Sequence, residues 1–587
     1  MLRQFKKAFF LLIIIPAVIF PQKVSSINVE SINHFSNDDI LNWAGIHEGE
    51  KFYAGMLDSI KANLAHNLQE RGYLNVDFSN CSLTFSPDSQ TVSININIQE
   101  NEPTYFNEFS IKFSDSVEVQ QIVQDFSFLK NQIYSKSSLE DNIEEALALL
   151  ENNGYPFAAI TINSIYFYKD ESGKNLADVF INIGKGKKRL IDKIEIEGNA
   201  ATNDNVIKRE LGIKKGDEYV QEKIDDIPRR LNKLGIFEPV EKPTFYINSD
   251  EQGVLLIKVK EEQTNNFDGV IGYVPSSSPG QSGYLTGLVD VSMRNLFGTG
   301  RAASIHWQQL SETSQQLELK YLEPWLFGYP FNITGDLYQR KQDTSYIQRK
   351  FRVDLEFIAT DIFSGSVFIS TEAVIPTLTD STIFSVYNSN SFVSGLSLKL
   401  DTRDDPYSPT SGVLFINSYS LSQKKITGPA QFLTPDVRRK VNLQRIEIDL
   451  DGYYQLFNKQ VVALGIHGRE LRGPFFEISD LYRLGGTNTL RGYREDQFLG
   501  SRVLWTNLEY RFLLTQRTFL FLFLDTGYYF SPAEPDLNIT KQEGYKAGYG
   551  LGIDLETSFG VISVSFALAQ GDNFSDGKIH FGLVNEF

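Results

Sequence analysis

Two hydrophobic rhythms divide this 587-residue chain. Up to about residue 262, apolar residues recur at helical spacing: Leu57, Ile60, Leu64 and Leu68, then Leu139, Ile143, Leu147 and Leu150, then Ile224, Ile227, Leu231 and Leu234. Spacings of three and four place each set on one face of a helix, so the pattern predicts three amphipathic helices. A glycine follows each face, at Gly72, Gly154 and Gly235, and glycine readily takes the left-handed conformation that stops a helix. The three markers lie about 80 residues apart, the period of a repeated small domain. Alternating stretches close the units, with Val92, Ile94, Ile96 and Ile98 in the first and Leu255, Ile257 and Val259 in the third. A shorter helix, Asn203 to Leu211, follows the strand pattern of Ile194-Glu195-Ile196-Glu197. Each unit therefore reads strand, helix, helix, strand, strand, with expected boundaries at 27–102, 103–187 and 188–262.

Beyond Gln263 the helical rhythm stops, and period-two stretches alternate with clusters of Gly, Pro, Asn, Asp and Ser. Ile446, Ile448 and Leu450 oppose Glu447, Asp449 and Asp451, as a strand needs when one face meets lipid and the other a wet lumen. Counting back from the end gives strands at Lys578 to Phe587, Gly560 to Gln570, Tyr545 to Glu556, Thr518 to Tyr529, Arg502 to Leu514, Lys459 to Glu470, Lys440 to Phe457 and Gly412 to Gln423. Their connections alternate between tight, as at Leu514 to Arg517, and long, as at Leu471 to Ser501, the habit of barrels with short periplasmic turns and long outer loops. Phe267 to Leu400 has room for about eight more strands at the same density. The expected fold is thus α+β repeats followed by an all-β transmembrane barrel of about 16 antiparallel strands, at 263–587.

Composition supports that division. Tyr and Phe number 27 and 44, and aromatics make up 13% of the chain; interfacial girdles of aromatic residues are a barrel feature. Seventy-three acidic against 56 basic residues give a net charge of −17, which repels phosphate backbones and argues against nucleic acid as a partner. Cys81 is the sole cysteine, so neither an internal disulfide nor a cysteine-rich metal site can form, and it reads as a small apolar filler. Arg3, Lys6 and Lys7 precede an apolar run from Ala8 to Phe20, and Val24-Ser25-Ser26 offers a cleavage point; residues 1–26 therefore read as an export signal. His34, His47, His66, His306, His467 and His580 form no metal-spaced pair, and no Gly-x-Ser-x-Gly elbow occurs. The expectation is a protein that is not an enzyme and needs neither cofactor nor metal.

Three local sequences carry more. Leu400-Asp401-Thr402-Arg403-Asp404-Asp405-Pro406-Tyr407-Ser408-Pro409-Thr410-Ser411-Gly412 falls at a periplasmic turn in the strand count. Leu484-Gly485-Gly486-Thr487-Asn488-Thr489-Leu490-Arg491-Gly492-Tyr493 lies in the longest outer loop, and the final strand ends in Phe587. In this order, after repeats whose element order resembles POTRA domains, they resemble the outer-membrane protein assembly superfamily, the bacterial surface antigen family that includes BamA, TamA and the two-partner secretion transporters. Three repeats before one barrel look most like the TamA type, and Met293 to Gly300 fits the family's opening hairpin. Its Gly298-Thr299-Gly300 lacks the further glycine and lysine of a phosphate loop.

The resemblance implies a long loop folded into the lumen, with Arg491 of the Arg-Gly-Tyr motif paired to wall acids. Asp525 and Glu509 are the candidates here, Gly492 letting the loop pass close to the wall. Asp401, Arg403, Asp404, Pro409 and Gly412 would shape the periplasmic turn, and Phe587 would be the terminal signal. It further implies an outer-membrane protein with periplasmic POTRA domains that receives unfolded polypeptide and promotes its insertion, in contact with outer-membrane lipid. A periplasmic or inner-membrane-anchored partner on the first repeat is a further possibility. Passage of secreted polypeptide through the lumen, and a receptor or structural barrel whose arm binds a partner, stay open.

Overall fold

The computed structural model describes every residue except 1–22, 31–33, 88–89, 115–119, 263–264, 275–283, 310–312, 344, 378–385, 407, 434, 436, 516, 535–539, 558–559 and 585–587. The chain forms two compact units, residues 1–190 with 218–221 and residues 191–217 with 222–587.

The first unit holds two domains of the same plan. In the first, strand Lys23–Glu30 runs parallel to Thr91–Asn97, which pairs antiparallel with Ser82–Phe85 on its other side. Helix Asn37–Ala44 starts at Ser36, whose hydroxyl accepts from the Asp39 amide while the Asp39 carboxylate accepts from the Ser36 amide, the reciprocal cap that satisfies two orphan donors. Helix Met56–Glu70 buries Met56, Ile60, Leu64 and Leu68 against Val92, Ile94, Ile96 and Ile98 of the central strand. In the second domain Thr104–Phe113 is parallel to Asn175–Gly184, and Ala159–Lys169 is the antiparallel edge. Its helices are Gln120–Phe128 and Lys136–Asn152.

One boundary moves. The opening strand includes Lys23 to Ser26, residues expected to leave with the export signal. Val24 is buried in the core, the Ser25 hydroxyl donates to the Val92 carbonyl, and Ser26 meets Ser93. A chain cut after Ser26 would lose that strand's first half, so the first domain begins before Ile27. The remainder of the expected signal, 1–22, lies outside the described residues.

The helix-stopping glycines do a second job. Gly72 has φ of 88°, and a Cβ there would lie 2.5 Å from the Tyr134 carbonyl oxygen. Its own carbonyl accepts from the Thr104 amide at 2.9 Å, as that of Gly154 accepts from the Arg189 amide at 2.9 Å. A side chain at Gly72 would hold the second domain off the first.

In the second unit the third domain pairs Lys193–Glu197 parallel with Gly253–Lys258 and antiparallel with Thr244–Ile247. Here the single helix expected through Ile224, Ile227 and Leu231 is two short ones, Gln221–Asp225 and Ile227–Asn232. Pro228 lacks an amide hydrogen and is accommodated only in a first turn, so the helix restarts there; Ile224, Ile227 and Leu231 remain buried.

Sixteen antiparallel strands follow in chain order, from Asn265–Val274 to Lys578–Val584. Eight precede residue 402, as the spacing predicted. The turn at Gly298-Thr299-Gly300 joins the second strand, Tyr284–Leu296, to the third, Arg301–Gln309, so it belongs to the second hairpin instead of the first. Gly412–Gly428 runs five residues beyond its expected end. The loop carries its own ribbon of Tyr482–Leu484 and Phe498–Gly500, which leaves Gln460–Arg472 paired with Arg502–Leu513. Along Phe519–Ser531, Leu520, Leu522 and Leu524 face outward while Phe519, Phe521, Phe523 and Asp525 are buried inward. A closed barrel would pair the first strand with the last; among the described residues no ladder joins them.

The third domain braces the tight turns of this sheet. Arg229 and Arg230 pair with Asp361, and Lys233 Nζ donates to the carbonyls of Asp361 (3.0 Å) and Asp401 (2.6 Å). The Asn203 amide donates to the Gly298 carbonyl at 2.9 Å, and a Cβ on Gly298 would lie 2.0 Å from the Ala201 oxygen. Trp325 Nε1 donates to Glu210 at 2.6 Å, and Arg517 bridges Glu262 (3.0 Å) and Asp405 (3.4 Å). Burial pulls the Lys233 ammonium down from its ordinary 10.5 to about 8, against the Asp401 carboxylate. Between those values the unfolded chain holds a proton that the folded chain has released, so stability contributed by this junction rises as pH climbs through that window. Proteolysis at the segment joining the third domain to the barrel should slow from about pH 8 to about pH 10 relative to the unfolded chain; Lys233→Met should flatten that dependence, and Asp361→Ala should speed cleavage at every pH.

Candidate functional site

The outer loop between Arg472 and Arg502 folds back onto the inner face of the sheet. Leu484, Leu490 and Tyr493 pack with Val503, Trp505 and Ala569 in a buried cluster, which desolvates whatever polar group enters with them. That group is Arg491, 7% exposed. Its Nε and one terminal nitrogen each donate to Asp525 at 2.8 Å, and the other terminal nitrogen donates to Glu509 at 2.7 Å. The Arg491 backbone amide also donates to Asp525 at 3.0 Å. The guanidinium lies 3.7 Å from the Phe523 ring centroid, a cation–π contact in a desolvated place. Both acids proposed from the sequence are therefore partners, Asp525 through the fork and Glu509 through a single bond.

The wall is ordered to receive the arginine. Asn507 Nδ2 donates to Asp525 at 2.9 Å and to the Thr489 carbonyl at 2.9 Å. Arg511 pairs with the far oxygen of Glu509 at 2.8 Å. Every polar end is matched, the condition for a buried charge to be tolerated. Gly492, at φ 92°, passes within 2.9 Å of the Leu568–Ala569 backbone as judged from a Cβ placed on it, and Tyr493 donates its hydroxyl to the Ala547 carbonyl at 3.1 Å.

The turn motif folds on itself. Arg403 forks onto Asp401 (2.9 and 3.0 Å), Asp404 accepts from the Thr410 and Ser411 amides, and Asp405 accepts from the Ser408 amide. Pro409 sits inside this turn, and Gly412, at φ 102°, leaves it with a would-be Cβ 2.4 Å from the Thr402 oxygen. The turn shapes a surface on which the third domain rests, Lys233 donating to the Asp401 carbonyl. Phe587 lies outside the described residues.

Three further groups escape the sequence reading. On strand Gln542–Thr557, Gly548, Gly550 and Gly552 form a trough: Cβ atoms there would lie 1.8 Å from the Arg491 oxygen, 2.9 Å from Phe523 and 2.4 Å from Phe521. The signal was present as glycine at every second position of a strand, which marks close approach on one face. Lys424 is buried with Glu477 (2.6 Å) and Asp480 (2.8 Å), fastening the loop's first third; nothing local pairs residues more than 50 positions apart. His580, on the last strand, accepts the Gly492 amide at Nε2, 3.0 Å away. Among the described residues no group of three His, Cys, Asp or Glu could hold a metal ion.

Arg491→Ala should strand Asp525 and Glu509 in the wall and cost about 3 to 5 kcal/mol, the range for a broken buried pair. Urea unfolding of the barrel in detergent, read by the difference between cold and boiled gel migration, measures it. Arg491→Lys should recover only part, since an ammonium lacks the fork. Because Glu509 shares the guanidinium, Arg491→Asp with Asp525→Arg should restore less than half the loss.

The comparisons with known proteins agree with this architecture. The Omp85 superfamily domain matches residues 295–587, and the POTRA profile, described as a surface antigen variable number repeat, matches 22–101 and 190–262. The chain is 24% identical over 473 residues to the outer membrane protein assembly factor BamA of Nitratidesulfovibrio vulgaris, covering 73% of this chain and 54% of that protein. It thus spans about half the length of that curated relative, and 35% of the BamA of Neisseria meningitidis, to which it is 24% identical over 48% of its own length. Among solved structures it is similar to CdiB from Escherichia coli, at 13% identity and TM-score 0.48, with 94% of this chain and 99% of that one covered. With the Omp85 domain over the sixteen-stranded sheet and POTRA-type repeats ahead of it, this chain belongs to the Omp85 superfamily, as an outer-membrane protein of BamA/TamA-like layout with periplasmic POTRA domains.

Proposed function

We propose that this protein receives unfolded outer-membrane polypeptide on its periplasmic domains and promotes insertion of that polypeptide into the outer membrane at the open ends of its barrel sheet. The observation that carries the reading is the pair of end strands, Asn265–Val274 and Lys578–Val584, which among the described residues share no ladder. An unpaired edge offers a row of backbone donors and acceptors to an incoming strand, and strand addition satisfies both partners without water. The strapped loop supports insertion over passage through the lumen, because Arg491 and its neighbours occupy the inner face. No enzymatic step is needed; the folding energy of the client and its contact with outer-membrane lipid supply the driving force.

The second domain supports the receiving role. Its edge strand Ala159–Lys169 has 11 residues, against four in Ser82–Phe85 and four in Thr244–Ile247. From Ala159 to Tyr168 it carries no charge, and Ile162, Tyr166 and Phe167 are exposed. A long uncharged edge invites pairing unless something covers it, and an extended client would do so. The first domain is the place for a periplasmic or inner-membrane-anchored partner.

Depletion of the protein should lower the outer-membrane levels of a set of barrel proteins and raise their unfolded forms in the periplasm. A photo-crosslinking residue at Tyr166 should capture the same clients. Unchanged barrel levels together with loss of a protein from the medium would instead establish secretion, and no change in either would leave a receptor or structural barrel.

A further inference from the structure

His580 links the loop motif to the last strand of the sheet. Its ring is buried, 7% exposed. The Gly492 amide donates to Nε2 at 3.0 Å, so that nitrogen carries a lone pair, and the ring is neutral with its proton on Nδ1. Nδ1 faces the Thr487 hydroxyl at 3.4 Å, which can accept it. The loop thus meets Lys578–Val584 through both nitrogens of one ring, and the bond from Gly492 needs the neutral form.

The charged groups around the ring are Arg491 from the loop, Asp525 from strand Phe519–Ser531 and Lys578 from its own strand. Glu495 stands behind Thr487, accepting its amide at 2.6 Å, and the residue opposite on strand Gly560–Ala569 is Ser565, which does not titrate. Asp525 is already committed to Arg491 and Asn507. A second proton on His580 would therefore bring a cation beside a guanidinium and turn Nε2 from acceptor to donor, facing the donor N–H of Gly492. Arg491 itself would keep both acids. Protonation breaks the bond that holds the Gly492 turn to the end strand while leaving the loop on the rest of the wall.

We propose that His580 is a positioning residue that fastens the Arg491-Gly492-Tyr493 turn to the last strand when neutral and releases that strand when protonated. The inference rests on the insertion reading only for its use: an end strand freed from the loop is one that an incoming strand can reach.

The test uses the full chain in lipid vesicles, with Cys81→Ser and Gly582→Cys. A Cβ at Gly582 would lie 3.2 Å from Thr487 Cγ2, so the loop shields a thiol there. Reaction with a dipyridyl disulfide, which the cysteine sulfur attacks in acid as well with release of a pyridine thione, is followed at about pH 7.5 and about pH 5, on either side of an ordinary histidine. Each rate is divided by that of the urea-unfolded chain. The relative rate should rise about tenfold in acid, the size of effect expected when one buried hydrogen bond is lost. His580→Gln keeps an acceptor that does not titrate and should stay slow at both values; His580→Leu should be fast at both. A flat profile with His580 present overturns the proposal, and so does a rise that survives in His580→Gln, since another group would then carry the proton. If His580→Leu fails to fold, the histidine and glutamine proteins decide. No client enters the measurement, so failure of the insertion reading would leave its result intact.

Discussion

A guanidinium removed from water must be matched or it will not stay, and the inner half of this barrel is arranged around that constraint. Arg491 satisfies it with a fork onto Asp525, a bond to Glu509 and the face of Phe523. Each partner is itself held, Asp525 by Asn507 and Glu509 by Arg511. The acids could not be left facing each other without the arginine, so loop and wall specify one another. Gly548, Gly550 and Gly552 follow from the same requirement, since a side chain at any of them would occupy the volume taken by the arginine backbone or the phenylalanine rings.

From that point the loop is spread over several strands. Arg491 binds Glu509 on Arg502–Leu513 and Asp525 on Phe519–Ser531, Tyr493 binds the Ala547 carbonyl, and Gly492 reaches His580 on the last strand. Lys424, with Glu477 and Asp480, holds its other end to Gly412–Gly428. The loop is a strap across the later strands of the sheet rather than a plug resting in it. The opposite rim is organised differently, by the third domain, whose Arg229, Arg230 and Lys233 gather the turns at Asp361 and Asp401. Its turn motif around Arg403 is stiffened internally and thereby presents the Asp401 carbonyl in a fixed direction.

The sequence by itself determined what depends on near neighbours. The three- and four-residue spacing of Ile60, Leu64 and Leu68 is a helix face whatever lies opposite, and the two-residue spacing of Leu520, Leu522 and Leu524 is a strand face. Stops at Gly72 and Gly154, tight turns and strand number followed from such local rules, as did the prominence of Arg491 and of acids able to meet it. Local rules also misled where a local feature was overlooked: Pro228 splits a helix that the apolar spacing had drawn as continuous.

Tertiary structure decided everything that depends on which distant groups share a space. That Arg491 takes both acids, that Lys424 finds Glu477 and Asp480, and that a lone histidine between Ile579 and Phe581 accepts an amide 88 positions away could not be read from spacing. A strand's alternation says which residues face inward but not what comes to meet them, because that is set by the path of a long loop and by strand register. The second role of Gly72, giving passage to the next domain, was hidden for the same reason. Its stop is a property of one backbone; its clearance belongs to two.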